Sequence, residues 1–220
     1  MSVAENIREV EAKIAAAAAK SGRKAEDILL LAVSKTKPVE LIGEAVKAGC
    51  VSLGENKVQE IMDKYEPMME YAPEGDRIHW HLIGHLQTNK VKYIIDKVEL
   101  IHSLDRVDLA DEIQKQAMKH NKVQNCLVEV NIGGETSKGG IAPEKVEDFI
   151  LSLKDHTHIK IEGIMSVLPN VNTAELETLY DKLDTVFDEV KKIQQSNVEI
   201  KYLSAGMSSD YEIALNHKSN

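Results

Sequence analysis

The sequence alternates between strand-like and helix-like segments along almost its whole length. Short runs rich in Val, Ile and Leu are each followed by a longer amphipathic segment, and the pair repeats seven times after one N-terminal helix. A continuous apolar run bounded by turn residues is typical of a strand covered on both faces. Strands that alternate with helices at this spacing pair in parallel through right-handed crossovers. The sequence therefore predicts an α/β fold built on a parallel sheet.

Polar and small residues gather where the predicted strands end, and this distinguishes two architectures. A doubly wound sheet concentrates its site at one switch point, whereas a closed barrel rings its site with the carboxyl ends of all its strands. Such residues follow several strands here, at Ser34–Thr36, Gly54–Asn56, Gly84–His85, Asn131 and Ser204–Gly206. We therefore predict a (β/α)8 TIM-type barrel with an extra N-terminal helix, formed as a single domain by residues 1–220.

The eighth strand of such a barrel is not found in the sequence. The chain stops after "ALNHKSN", and "HKSN" resembles the approach to a further strand. A barrel that lacks one strand exposes two unpaired edges. We expect this form to be less stable than one that carries the final strand.

Composition and charge exclude several classes of protein. Hydrophobic residues make up 43% of the chain and charged residues 29%, which suits a packed core with a solvated surface. The formal net charge of -9 opposes broad binding to nucleic acid or to an anionic membrane. Cys50 and Cys126 are far apart and predict neither a disulfide framework nor a zinc site. The N-terminal segment is too charged for a secretory signal, and we expect a cytoplasmic protein.

The position of one lysine differs from that of an ordinary surface lysine. Lys35 ends the apolar run "LLLAVSK", and Lys37 follows it just before Pro38. Desolvation at the mouth of a pocket, or a neighbouring cation such as Lys37, favours the neutral amine that Schiff-base chemistry requires. The alternative is a strand-end lysine that extends into solvent. Position alone leaves both interpretations open.

The segment "LSAGMSSD", Leu203 to Asp210, leads from a strand through a Ser/Gly-rich turn into a helix. Such a turn exposes backbone N–H groups, and loops late in a barrel often hold phosphate. The alternative is an ordinary helix cap formed by Ser208 or Ser209. The two interpretations are compatible.

A cluster of histidines occurs in "HWHLIGHLQTNK". Alternation along a strand places His79 and His81 on one face. A metal site needs further ligands in matching geometry, and the local sequence does not supply them. Histidines that line the barrel, or that lie in a turn, are the favoured interpretation, and we predict no metal site.

Several motifs occur in order along the chain, and together they are much more specific than any one alone. They are "LLAVSKTKP", "LGENKVQE", "HLIGHLQTNK", "SLDRVDLA", "VNIGGETSKGG", "GIMSV" and "LSAGMSSD". The set resembles the pyridoxal phosphate homeostasis protein family, over about residues 5 to 218. That family is similar to the barrel domain of alanine racemase standing alone. The resemblance implies pyridoxal 5′-phosphate (PLP) as cofactor, carried as a Schiff base on Lys35.

The resemblance also implies roles for residues beyond Lys35. The turn that contains Ser204, Gly206, Met207 and Ser208 matches the segment that receives the PLP phosphate, and Asn56 matches a pocket position near the cofactor ring. Lys37 and Lys138 also match lysines of the family. The family continues past "HKSN" into a strand with an Arg-x-Gly pattern that contacts the cofactor. Because that pattern is absent from this sequence, we expect weaker PLP binding than in a longer relative.

The resemblance favours a PLP carrier that acts in vitamin B6 homeostasis without catalysis. Racemisation needs two opposed acid/base groups, and alanine racemase draws one of them from a separate domain for which this chain has no room. The expected partners are PLP and the apo-enzymes that receive it, and the family is often monomeric. The alternatives are a small PLP-dependent amino-acid racemase or decarboxylase, and a PLP-independent barrel enzyme acting on a phosphorylated metabolite.

Overall fold

The computed structural model describes residues 2–135 and 138–220, so Thr136 and Ser137 of the glycine-rich motif lie outside the described residues. It contains one 7-stranded sheet in the order of the sequence, with every neighbouring pair parallel. The strands are β1 (Ala32–Val33), β2 (Ser52–Glu55), β3 (His79–Leu82), β4 (Val98–Leu104), β5 (Gln124–Glu129), β6 (Ile159–Met165) and β7 (Val198–Ser204). The helices are α1 (Val3–Lys20), α2 (Val39–Lys47), α3 (Val58–Met68), α4 (Val107–Lys119), α5 (Val146–Ser152), α6 (Thr173–Val190) and α7 (Tyr211–Asn216).

Contacts across the sheet show that it curves into a barrel. His102 on β4 lies 3.0 Å from the hydroxyl of Ser204 on β7, although β5 and β6 separate these strands in the sheet. Asn220 lies between the two edges. Its carbonyl accepts a hydrogen bond from the Leu29 amide at 2.7 Å, and its own amide donates to the Leu203 carbonyl at 3.2 Å. The predicted barrel class with seven strands is therefore confirmed.

The first strand differs from its prediction. The run from Asp27 to Lys35 was expected to form a strand buried on both faces, but only Ala32 and Val33 pair with β2. Leu29 and Val33 are 45% and 47% exposed. The reason is that β1 has a strand partner on one side only, so one edge of the run lies open. The prediction of a long, doubly covered first strand was wrong.

The main core lies between the strands and the surrounding helices. Trp80, Ile101 and Leu203 point outward from the barrel into this layer and are buried. A smaller cluster joins the N-terminal helix to the last one, where Ile14 and Ala17 of α1 pack with Leu215 of α7. Each fully buried aliphatic side chain contributes about 1.5–3 kcal/mol relative to exposure. Helix α1 therefore covers the part of the barrel where β1 and β7 approach each other.

A capping box starts α1, because Ser2 and Glu5 each accept the backbone N–H of the other. The helix-like segment "QTNKVKYIID" follows β3. It forms a 3-10 helix at Thr88–Tyr93, tight enough to bury Val91 in the core.

Replacement of Asn220 by alanine tests the closure between β7 and β1. Its side-chain oxygen accepts the Leu203 amide at 2.8 Å, and its side-chain nitrogen donates to the Lys201 carbonyl at 2.9 Å. We expect Asn220→Ala to lower the free energy of unfolding by about 1–2 kcal/mol, because two hydrogen bonds are lost. Urea titration measures the change. The exposed Asn216→Ala is the control, and equal effects of the two substitutions would contradict the role of Asn220.

Candidate cofactor site

Lys35 lies in a tight turn between β1 and α2. The turn is closed by a hydrogen bond from the Lys37 amide to the Ser34 carbonyl at 3.1 Å. Lys35 is exposed and, within the described residues, forms no ion pair. Of the two positions that the sequence left open for Lys35, the structure shows the exposed one, because the open edge of β1 leaves the turn facing solvent. Its amine is free to meet a ligand from outside.

A buried cluster on α3 holds the backbone on both sides of Lys35. The ammonium of Lys64 donates to the Ser34 carbonyl at 2.8 Å and to Glu60 Oε2 at 2.8 Å. The same Glu60 oxygen accepts the amide of Thr36 at 2.6 Å. Thr36 has φ 61°, a left-handed conformation that a β-branched residue rarely adopts. The cluster thus fixes an unusual backbone at the turn that carries Lys35.

Glu55 completes this cluster beneath the turn. Its Oε1 accepts from Lys64 at 2.7 Å and from the Ser34 hydroxyl at 2.7 Å, and its side chain is fully buried. Burial raises the pKa of Glu55, against the opposing effect of Lys64 and Ser34. The hydrogen bond from Lys64, followed by that from Thr36, lowers the pKa of Glu60. We call Ser34, Glu55, Glu60 and Lys64 the lysine clamp.

Asn56 follows β2 and is half-buried. Gly84, just beyond β3, packs directly on its backbone. A Cβ at Gly84 would lie 2.3 Å from the Asn56 carbonyl oxygen, so only glycine allows this approach. The loops after β2 and β3 are therefore locked together. Asn56 is placed at the carboxyl end of the strand next to β1, as predicted.

The turn after β7 is held by a buried aspartate. Asp210 accepts the Met207 amide at 2.7 Å with one oxygen and the hydroxyl of Tyr180, on α6, at 2.6 Å with the other. Gly206 has φ 99°, and a Cβ there would lie 2.9 Å from the Cβ of Ala214. Asp210, Tyr180 and Gly206 together fix the path of the turn.

Several polar groups in this turn have no hydrogen-bond partner among the described residues. The backbone N–H groups of Gly206, Ser208 and Ser209 make no hydrogen bond to any residue the structure describes. Met207 and Ser208 are exposed. Neither Ser208 nor Ser209 caps α7, which begins at Tyr211 after Asp210. The capping interpretation of the serines is therefore wrong. The Ser209 hydroxyl donates to Asp210 Oδ1 at 3.4 Å, whereas the Ser208 hydroxyl has no partner among the described residues and remains open to a ligand.

A chain of hydrogen bonds crosses the barrel interior to reach this turn. His81 Nδ1 lies 2.9 Å from His102 Nε2, and His102 Nδ1 lies 3.0 Å from Ser204 Oγ. Burial lowers the pKa of His81 to about 4 and that of His102 well below its usual range. Both rings are therefore neutral near pH 7. They line the barrel, as the sequence favoured for His81.

A half-buried carboxyl lies at the end of β5. Burial, and then the charge of Asp105, raise the pKa of Glu129 to about 7. Gly139 approaches both groups, and a Cβ there would lie 3.3 Å from Asp105 Oδ2 and 3.7 Å from Glu129 Oε1. Glu129 is thus a carboxyl whose pKa is raised to near neutral at the end of the barrel where the strands finish.

The predicted site residues all follow the carboxyl ends of strands that converge on one face of the barrel. Lys35 follows β1, Asn56 follows β2, and the turn from Ser204 to Ser208 follows β7. The donor set comprises one free primary amine, hydroxyl groups and uncommitted backbone N–H groups. Such a set suits a small anion that also carries an electrophilic carbon. Among residues 2–135 and 138–220 no cluster of His, Cys, Asp and Glu suited to a metal ion occurs.

Comparison with known proteins identifies the family of this chain. The family described as alanine racemase, N-terminal domain, matches residues 4–220. A pyridoxal phosphate homeostasis protein from Aquifex aeolicus is 42% identical over 216 residues, which cover 98% of this chain and 92% of the relative. This chain belongs to the pyridoxal phosphate homeostasis protein family.

Two solved structures support the barrel assignment for this family member. A protein of unknown function from Bifidobacterium adolescentis has a TM-score of 0.93 and 29% identity, covering 99% of this chain and 90% of its own. PipY from Synechococcus elongatus, solved with PLP bound, has a TM-score of 0.78 and 28% identity, covering 94% of this chain and 95% of its own. The resemblance stated from the sequence motifs is confirmed. No helix in the described part is long and apolar enough to cross a membrane.

Three site residues were missed by sequence reasoning. His102 gave no signal beyond one polar residue in the strand "VELIHSL", and Glu129 likewise ends an ordinary buried strand. The sequence carries a stronger signal for Lys64, since Glu60 and Lys64 are four residues apart and such pairs meet on one helix face. That spacing is nevertheless common on solvated helices, and burial of the pair cannot be read from it.

Lys64→Met tests the lysine clamp. We expect a loss of about 3 kcal/mol in the free energy of unfolding, because Glu55 stays buried without its cation. Faster hydrogen exchange at the Thr36 amide should accompany it. Lys13→Met is the matched control, since Lys13 pairs with Glu9 at the same spacing but on an exposed face. We expect no measurable change in stability there. Equal losses would contradict the clamp.

The pH dependence of stability in Glu129→Gln tests the raised pKa of the Glu129 carboxyl. The folded pKa of about 7 lies above the ordinary 4.5, so between these values the folded state keeps a proton that the unfolded state has lost. Wild-type stability therefore falls as pH rises through this window. We expect the stability of Glu129→Gln relative to wild type to be about 1–3 kcal/mol more favourable at pH 8 than at pH 5. Glu147→Gln, on the exposed face of α5, is the control, and a pH-independent difference for Glu129→Gln would contradict the prediction.

Proposed function

We propose that this chain binds PLP at the carboxyl ends of its strands and acts as a carrier in vitamin B6 homeostasis. The observation that carries the proposal is Lys35, an exposed amine without an ion pair in the described chain, on a turn that a buried cluster holds in place. Lysines with no function are not normally supported by strained backbone and buried charge. The relative from Synechococcus elongatus that was solved with PLP bound supports the choice of cofactor.

The two ends of the cofactor match two parts of the site. PLP would supply an aldehyde carbon for a primary amine, and Lys35 would be the amine that holds it. The turn after β7 would hold the phosphate, since Ser204, Gly206 and Ser208 offer hydroxyl and backbone N–H donors. The Met207 amide is already bound by Asp210, so we expect Met207 to contribute through its exposed side chain. Asn56 would lie near the ring between these ends.

An open site favours carriage over catalysis. Controlled proton transfer at carbon requires a site from which water is excluded. Lys35 and the turn from Met207 to Ser209 are exposed. We therefore infer a non-catalytic carrier, a single domain over residues 1–220 that acts as a monomer in the cytoplasm and passes PLP to apo-enzymes.

Titration of the protein with PLP, followed by absorbance, tests the proposal. We expect a new visible band in the wild type and none in Lys35→Ala, because the covalent bond needs this amine. Borohydride reduction and mass spectrometry should place the adduct on Lys35. Lys24→Ala is the matched control, since Lys24 is as exposed as Lys35 but precedes β1. A band that persists in Lys35→Ala would contradict the proposal.

Addition of amino acids to the loaded protein separates a carrier from an enzyme. We expect no racemised or decarboxylated product beyond that formed by free PLP. Turnover that is lost in Lys35→Ala would establish the alternative of a small PLP-dependent racemase or decarboxylase.

A further inference from the structure

The hydrogen bonds that link His81, His102 and Ser204 must all run in one direction, because each neutral ring carries only one proton. His81 and His102 are 4% and 3% exposed. Burial lowers the pKa of both rings, so neither takes up a second proton near pH 7. A neutral imidazole donates from one nitrogen and accepts at the other. The position of one proton in the chain therefore determines the position of the next.

The hydroxyl of Ser204 can be used in two ways. It can donate to His102 Nδ1, 3.0 Å away, which leaves only oxygen lone pairs to face the turn. Alternatively, His102 Nδ1–H donates to Ser204 Oγ, and the hydroxyl proton is then available to an anion at the turn. An anion accepts hydrogen bonds and is repelled by lone pairs. Binding of a phosphate beside Ser204 therefore selects the second arrangement.

The second arrangement fixes the protons on both rings. If His102 carries its proton on Nδ1, its Nε2 is an acceptor, and the facing His81 Nδ1 at 2.9 Å must be the donor. His81 Nε2 is then without a proton, and this atom forms no hydrogen bond with any residue between 2 and 135 or 138 and 220. Each ring still holds one proton, so the change needs no net charge inside the barrel.

We propose that His81 and His102 are positioning residues that hold Ser204 as a hydrogen-bond donor to the cofactor phosphate, with both rings protonated on Nδ1 in the loaded protein. The proposal rests on the proposed function and adds to it two residues that act through Ser204. A β-sheet irregularity lies beside this pair, since the register of β3 on β4 shifts between Trp80 and His81.

Nitrogen-15 NMR of the histidine rings in the full chain tests the proposal directly. Long-range proton–nitrogen spectra would be recorded without ligand, with PLP and with inorganic phosphate. We expect the PLP-loaded sample to carry the protons of His81 and His102 on Nδ1. The pattern of His156, which binds Asp111 outside the barrel at 2.9 Å, should not change. A loaded sample with the His102 proton on Nε2, or with a doubly protonated ring, would overturn the proposal.

The absorbance of the same sample separates this inference from the proposed function. A visible band with the His102 proton on Nε2 would leave PLP binding intact and refute only the histidine chain. Absence of the band at saturating PLP would refute both. Inorganic phosphate that alone produces the Nδ1 pattern would support the anion as the cause.

Two substitutions of His102 provide a matched pair. In His102→Asn, the amide nitrogen takes the position of Nδ1 and can still donate to Ser204. In His102→Gln, the amide nitrogen takes the position of Nε2 and cannot donate to Ser204. We expect PLP affinity to fall less than about threefold in His102→Asn and more than about tenfold in His102→Gln, the latter being the size of one lost hydrogen bond to a charged group. Equal losses with unchanged folding would show a packing role only and overturn the proposal.

Discussion

The ammonium of Lys64 is the contact on which the arrangement of the candidate site depends. It is buried and binds three oxygen atoms from three separate parts of the chain. One oxygen belongs to Ser34 in the turn between β1 and α2, one to Glu55 on β2, and one to Glu60 on α3, the helix that carries Lys64. A buried cation is favourable only when its partners are complete. The geometry of the Lys35 turn and the docking of α3 are therefore coupled.

The barrel joins this clamp to a second, independent support. The turn after β7 is fixed from the outer layer by Tyr180 and Asp210, and from the interior by His102. No hydrogen bond among the described residues joins the lysine clamp to this turn. A ligand that contacts Lys35 and Ser204 together would thus connect two parts of the barrel that no direct hydrogen bond in the described chain joins.

The fold was largely predictable from the sequence, since apolar runs and their spacing determine parallel strands and crossovers. The position of Lys35, Asn56 and the turn around Gly206 at strand ends was predictable, because motifs of consecutive residues carry them. The exposure of Lys35 was not, because it depends on which strand lies beside β1. The pairing of His81 with His102 was also beyond the sequence, since it depends on how neighbouring strands are aligned and on the curvature of the sheet.

The order in which the chain is synthesised has a consequence for this site. Lys35 and its clamp need only residues up to Lys64, so the amine can be held in place once this part of the chain has emerged and folded. Ser204 and the turn that follows it are synthesised much later. A nascent chain therefore presents the reactive amine long before it presents the groups proposed to hold phosphate. Full binding strength should arise only on completed barrels, which makes cofactor loading a late event in the life of each molecule.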